Sequence, residues 1–104
     1  MSYNKLVRDK IPEIIKNNNE TPITRILSDE EYKVELEKKL LEEYQEVLEA
    51  SGNDRLEELA DMLEVMIALA SLDDATLEDI IKIADKKRNK RGGFKEKIFL
   101  ESVK

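Results

Sequence analysis

Two pairs of carboxylates carry the chemistry that this sequence can offer. Glu43 and Glu46 stand three residues apart, with Glu42 beside them, and Glu58 and Asp61 stand three apart a little further on. Residues at i and i+3 are neighbours on a helix surface. Gly52 lies between the pairs: Glu46 is six residues before it and Glu58 six after, while Glu43 is nine before and Asp61 nine after. Two helices folded antiparallel about that glycine would bring both pairs to matching heights. Four carboxylates converging on one point repel one another strongly. A divalent cation reverses the sign, and a donor set made of oxygen alone suits Mg²⁺ or Mn²⁺ better than zinc. The same acids have a plainer reading as partners of Lys or Arg from another helix.

The elements that would position these acids are legible from punctuation and period. Pro12 suits the first turn of a short helix that ends at Asn17-Asn18-Asn19. Ser28, three before Glu31, has capping-box spacing. Leu36, Leu40, Leu41, Tyr44, Val47 and Leu48 then recur at helical spacing as far as Ala50. Ser51-Gly52-Asn53 breaks that helix, Asn53 or Asp54 is expected to cap the next, and this third helix runs from Leu56 to about Leu72. At about 100° per residue, Glu57, Glu64 and Ser71 form its polar stripe, whereas Glu58 and Asp61 fall among Val65, Ala68, Leu69 and Leu72. Acids on an apolar face are costly unless something compensates them. The Diiron Glu-x-x-His pattern of helical bundles does not apply, because the chain has no His.

Thr76 with Asp79 repeats the capping spacing before a fourth helix that carries Leu77, Ile80, Ile81 and Ala84 and stops at Gly92. The tail that follows, rich in aromatic and branched residues, reads as a strand or extended arm. Tyr3 to Val7 would be able to pair with it as a short β ribbon. The expectation is one domain over residues 1–104, an all-α bundle of four helices with extended ends.

Composition narrows the functions. The 104 residues include 18 Lys+Arg and 24 Asp+Glu, a formal charge of −6, with charged residues at 40% and hydrophobic residues at 40%. That apolar fraction is enough for a core. The lack of Cys and His excludes thiol nucleophiles, Cys/His zinc clusters and an imidazole base. The acidic balance argues against binding a nucleic-acid polymer. Val65 to Leu72, the longest mainly apolar uncharged stretch, is far short of the ~20 residues that span a bilayer. The N-terminus meets charges too early for a signal peptide, so a soluble cytoplasmic protein is expected.

The cations come in two groups. On the fourth helix Arg88 and Arg91 continue the apolar stripe, which aims them at the bundle end, where a phosphate or an acid would receive them. A basic last turn that complements the helix dipole accounts for them equally well. Lys5, Arg8 and Lys10 form the second group and read, from residue type alone, as a solvated charged segment. Tyr3, Phe94 and Phe99 are candidates for packing between the two ends.

The ordered motifs also resemble a known family. LEEYQE followed by LEELADML is similar to the EExxE…ExxD signature of the MazG-like, all-α nucleoside triphosphate pyrophosphohydrolases. The opening YNKLVRDKIPEII and the later KRGGF resemble a small branch of that superfamily, described as house-cleaning pyrophosphatases and as phosphoribosyl-ATP pyrophosphohydrolase-like. The resemblance extends over nearly the whole chain.

It implies that Glu43, Glu46, Glu58 and Asp61 bind Mg²⁺, with Glu42 as an accessory acid. It also implies hydrolysis of a nucleoside triphosphate between the α and β phosphates, to a monophosphate and pyrophosphate. With no His present, Glu42 or Glu43 is then the candidate to orient or deprotonate the attacking water. The resemblance gives Lys5, Arg8 and Lys10 a role at the substrate or at a subunit contact. It implies a dimer or dimer of dimers, which the strongly apolar third helix favours independently. Two rival functions remain at this point: phosphoribosyl-ATP hydrolysis, and a non-enzymatic helical oligomerisation module whose acids make salt bridges.

Overall fold

The computed structural model describes residues 4–104 and is all-α. Its helices are α1 (Ile11–Asn17), α2 (Asp29–Glu49), α3 (Gly52–Ser71) and α4 (Leu77–Arg91). Local chemistry explains their limits. The Glu31 backbone N–H donates to Ser28 Oγ and the Ser28 N–H donates to Glu31 Oε1, both at 3.2 Å, so α2 begins in a capping box. Arg25 adds a two-pronged ion pair to Glu31, at 3.2 and 2.7 Å, which draws the preceding loop onto the first turn. The same box starts α4, where the Thr76 N–H donates to Asp79 Oδ2 at 2.8 Å and the Asp79 N–H donates to Thr76 Oγ1 at 3.3 Å. Gly92, at φ +83°, ends α4 with its N–H on the Arg88 carbonyl.

The start of α3 departs from expectation. Neither Asn53 nor Asp54 caps it. Ser51 holds the cap position without a side-chain hydrogen bond, and Gly52 is already the first helical residue, at φ +58°. The helix begins at Gly52, which places Asn53 and Asp54 inside its first turn. Glycine adopts that left-handed conformation at little steric cost, and a Cβ there would meet nothing within 4 Å, so the requirement is one of backbone strain alone. Arg55 Nε donates to the Ala50 carbonyl at 3.3 Å and braces the turn.

The α2/α3 hairpin is the packed body of the molecule, and α4 leans on the end of α3. Leu36 (3% exposed) and Val65 (8%) are its buried apolar side chains. The radius of gyration is 18.0 Å, against about 13 Å for a compact domain of this length. A helix as apolar as α3 would be expected to be covered nearly all round, but Leu56, Leu59, Leu63 and Met66 are exposed, and so are Leu41 and Leu48 of α2. One chain has too few layers to cover both helices.

Among the described residues there is no strand. The tail is in no ladder and makes a turn in which the Lys97 N–H donates to the Phe94 carbonyl at 3.2 Å, and Phe94 (99% exposed) and Phe99 stand open to solvent. Tyr3, the other half of the expected ribbon and end-to-end packing, lies outside the described residues. Among the described residues, no helix is long and apolar enough to cross a membrane.

Candidate metal centre

The hairpin brings α2 and α3 together along the face that carries the paired acids. One carboxylate oxygen each from Glu43, Glu58 and Asp61 lies within 4.8 Å of the other two. Glu43 is the innermost, with 6% of its surface exposed, which is unusual for a carboxylate in so open a molecule. Its Oε2 and the Oε2 of Glu58 are buried and have no hydrogen-bond partner. Buried polar atoms are normally satisfied. Two acids with an unsatisfied buried oxygen each, grouped with a third acid, are chemically suited to a hard cation that takes oxygen ligands.

Glu46 stands against Glu43 and Glu58 but outside the three-way grouping, so three of the four expected ligands converge and the fourth flanks them. The matching heights are as the spacing implies: Glu46 acts on Glu58, and Asp61 acts on Glu43. Burial pushes the Glu43 carboxyl up to about 7, and the adjacent Glu46 adds to the rise, while Lys39 opposes it. Glu58 is also raised, first by its contact with Glu46 and then by desolvation. Crowded, partly dehydrated anions hold protons when no other positive charge is present.

Cations reach the cluster from two directions. Lys39, one turn before Glu43 on α2, lies 3.9 Å from Glu43 Oε1 and 3.5 Å from Glu42 Oε2. The N-terminal segment crosses the hairpin and delivers the other two. Arg8 Nη2 donates to Asp61 Oδ1 at 2.7 Å, and Lys5 Nζ is 3.9 Å from Glu42 Oε1. Glu42 therefore sits at the edge of the acid group, held by two lysines and half-exposed. No ion pair reaches Glu46 or Glu58 among the described residues, and these two acids line an open cleft with Glu49, Ala50, Ser51 and Asp54.

The remaining sequence candidates lie elsewhere. Lys10 is exposed at the N-cap of α1. Arg88 donates to Asp85 on its own helix at 3.1 Å, and Arg91 is exposed in the last turn of α4. Both arginines are remote from the acids because α4 packs on α3 alone, beside Leu63, Met66 and Ile67. The helical wheel orients a side chain about its axis but says nothing about where the helix lies. Lys39 was the residue that sequence reasoning passed over, and its i, i+4 spacing to Glu43 was the available signal.

No family model matches the chain, and no solved structure matches it. An uncharacterized protein of Mycolicibacterium smegmatis is 48% identical over 50 residues, which amount to 48% of this chain and 51% of that protein. The chain thus spans about half the length of the curated relative it matches.

Proposed function

We propose that the chain is a divalent-cation-dependent nucleotide pyrophosphohydrolase of the MazG-like kind, cleaving a nucleoside triphosphate between the α and β phosphates. The observation that carries this reading is the buried Glu43 carboxyl, which has an unpartnered Oε2 and lies in one group with Glu58 and Asp61. Helix surfaces rich in acid usually present them to water. An acid held in the seam between α2 and α3, against two others, costs stability unless a cation compensates it. The resemblance of the ordered acid motifs to that superfamily supports the same conclusion.

In this reading Glu43, Glu58 and Asp61 hold Mg²⁺ or Mn²⁺, with Glu46 completing the negative field from the side. When bound, the ion neutralises phosphate oxygens and makes water a better nucleophile. Glu42 is the base. It lies next to the ligand group, is half-exposed, and is ion-paired with Lys5 and Lys39. Lys5 and Arg8 meet the phosphates from the N-terminal segment, Arg8 with a planar fork suited to an oxyanion.

The exposed leucines of α2 and α3 support a dimer or dimer of dimers as the working form. The same surface favours the rival reading, a helical oligomerisation module, which would leave the acids as mere ion-pair partners. We place the work in the cytoplasm, among the triphosphates it would act on. A panel of standard and modified nucleoside triphosphates, and phosphoribosyl-ATP, assayed for pyrophosphate release with Mg²⁺ tests the proposal. Release from a nucleoside triphosphate supports it, release from phosphoribosyl-ATP alone selects the other enzyme, and no release from any of them leaves the module.

A further inference from the structure

We propose that Arg8 is a built-in counter-ion that occupies the cation's place beside Asp61 and is displaced when the cation arrives, so that metal binding frees the N-terminal segment to meet the phosphates. The inference rests on the metal reading above and adds to it an order of events. Arg8 and Asp61 are 53 residues apart in the chain and meet at 2.7 Å, and Asp61 is grouped with Glu43 and Glu58, each of which has one buried oxygen without a hydrogen-bond partner. The guanidinium satisfies Asp61 and leaves those two oxygens unmatched. A dication that bridges all three acids must share Asp61 with a fixed positive charge, and the two cations repel each other.

The pair is built to exchange. Its side chains are 57% and 46% exposed, so water replaces either partner at small cost. Residues 5–10 make no backbone hydrogen bond to α2 or α3 among the described residues; Leu6 is half-buried, and the stretch's polar ties to the hairpin are Arg8 and, more loosely, Lys5. Both of those anchors are ion pairs with acids in or beside the cluster. A change of charge in the cluster therefore acts on the whole segment. A guanidinium released from Asp61 lies within reach of whatever anion the cation brings, and the fork geometry that suited a carboxylate suits a phosphate.

The test uses Mn²⁺ alone, titrated into the full chain at neutral pH and followed by the resonance of free Mn²⁺, with circular dichroism to check the fold of each variant. Arg8→Gln should bind Mn²⁺ tighter than the unaltered chain, by roughly two- to fivefold, the factor an exposed ion pair imposes. Arg8→Lys, which keeps the charge, should stay near the original affinity. Tryptic cleavage after Arg8, whose side chain is held by Asp61, should quicken with Mn²⁺ alone and slow again when a non-hydrolysable triphosphate is added. Equal or weaker binding by Arg8→Gln, or cleavage after Arg8 that Mn²⁺ alone does not change, overturns the counter-ion role while leaving the metal site standing. Failure of both proteins to take up Mn²⁺ overturns the metal reading itself.

Discussion

Lys39 Nζ lies 3.9 Å from Glu43 Oε1 and is the single cation within ion-pair distance of that carboxylate among the described residues. One ammonium at the edge of contact does not offset burial together with the charges of Glu46 and Asp61, so Glu43 is held near pH 7 rather than in the usual carboxylate range. The sign of the consequence for stability follows. Glu31, held down to about 2 by Arg25, contributes stability that is lost as pH falls below 4.5, whereas Glu43 binds its proton more tightly folded than unfolded, so its own contribution without divalent cation is highest at and below the unfolded value of 4.5. It then declines as pH rises to about 7. The decline is bounded by roughly 3 kcal/mol for Glu43. The raised carboxyl of Glu58 acts in the same direction. Thermal melts in chelator between pH 5 and 8 should show the fall, and excess Mg²⁺ should flatten it.

Glu43→Gln removes the charge and keeps the shape. At pH 7.5 in chelator this variant should melt higher than the unaltered chain, since the repulsion with Glu46 and Asp61 is gone. It should gain nothing from Mg²⁺. A plain ion-pair module predicts the reverse for the first measurement, because Lys39 would lose its partner.

Glu58→Gln and Asp61→Asn should each abolish Mg²⁺-dependent pyrophosphate release, a loss of at least about 100-fold, with the helical signal unchanged. Both acids are half-exposed, so neither substitution leaves a buried hole. Turnover retained in both variants would remove the site assignment.

The hairpin depends on a small core, so Leu36→Ala should cost about 2–5 kcal/mol in urea unfolding. Ser28→Ala, which breaks one capping box, should cost about 1 kcal/mol. The difference separates loss of the seam that holds the acids from loss of one helix end.

Leu48 is 65% exposed on a helix whose other face is packed. If the leucines of α2 and α3 form the interface between copies, Leu48→Glu should shift the molar mass measured by light scattering toward that of one chain. The unaltered protein should measure as a dimer or larger.

Much of this was legible in the sequence because it is local. The boxes at Ser28 and Thr76 need three residues each, and the stop at Gly92 needs one. The convergence of Glu43, Glu58 and Asp61 is nearly local as well, since a tight turn at Gly52 converts equal spacing along the chain into proximity across it. What escaped is what depends on placement in space. No spacing rule links Arg8 to Asp61, and the position of α4 against the far end of α3, which removes Arg88 and Arg91 from the acids, is set by Leu77 and Ile80 meeting Leu63, Met66 and Ile67. The extent of exposed leucine was hidden for the same reason: an apolar period marks a face for covering but does not say that the cover belongs to the same chain.

The central claim is that the acid cluster is completed by a divalent cation, and a melting-temperature titration with Mg²⁺ at constant ionic strength tests it most directly. The account predicts a rise that follows binding by mass action, worth about 2.7 kcal/mol at a hundredfold excess over the dissociation constant, and absent in Glu43→Gln. A response no larger than that produced by NaCl of the same ionic strength, or one equally large in Glu43→Gln, would contradict it.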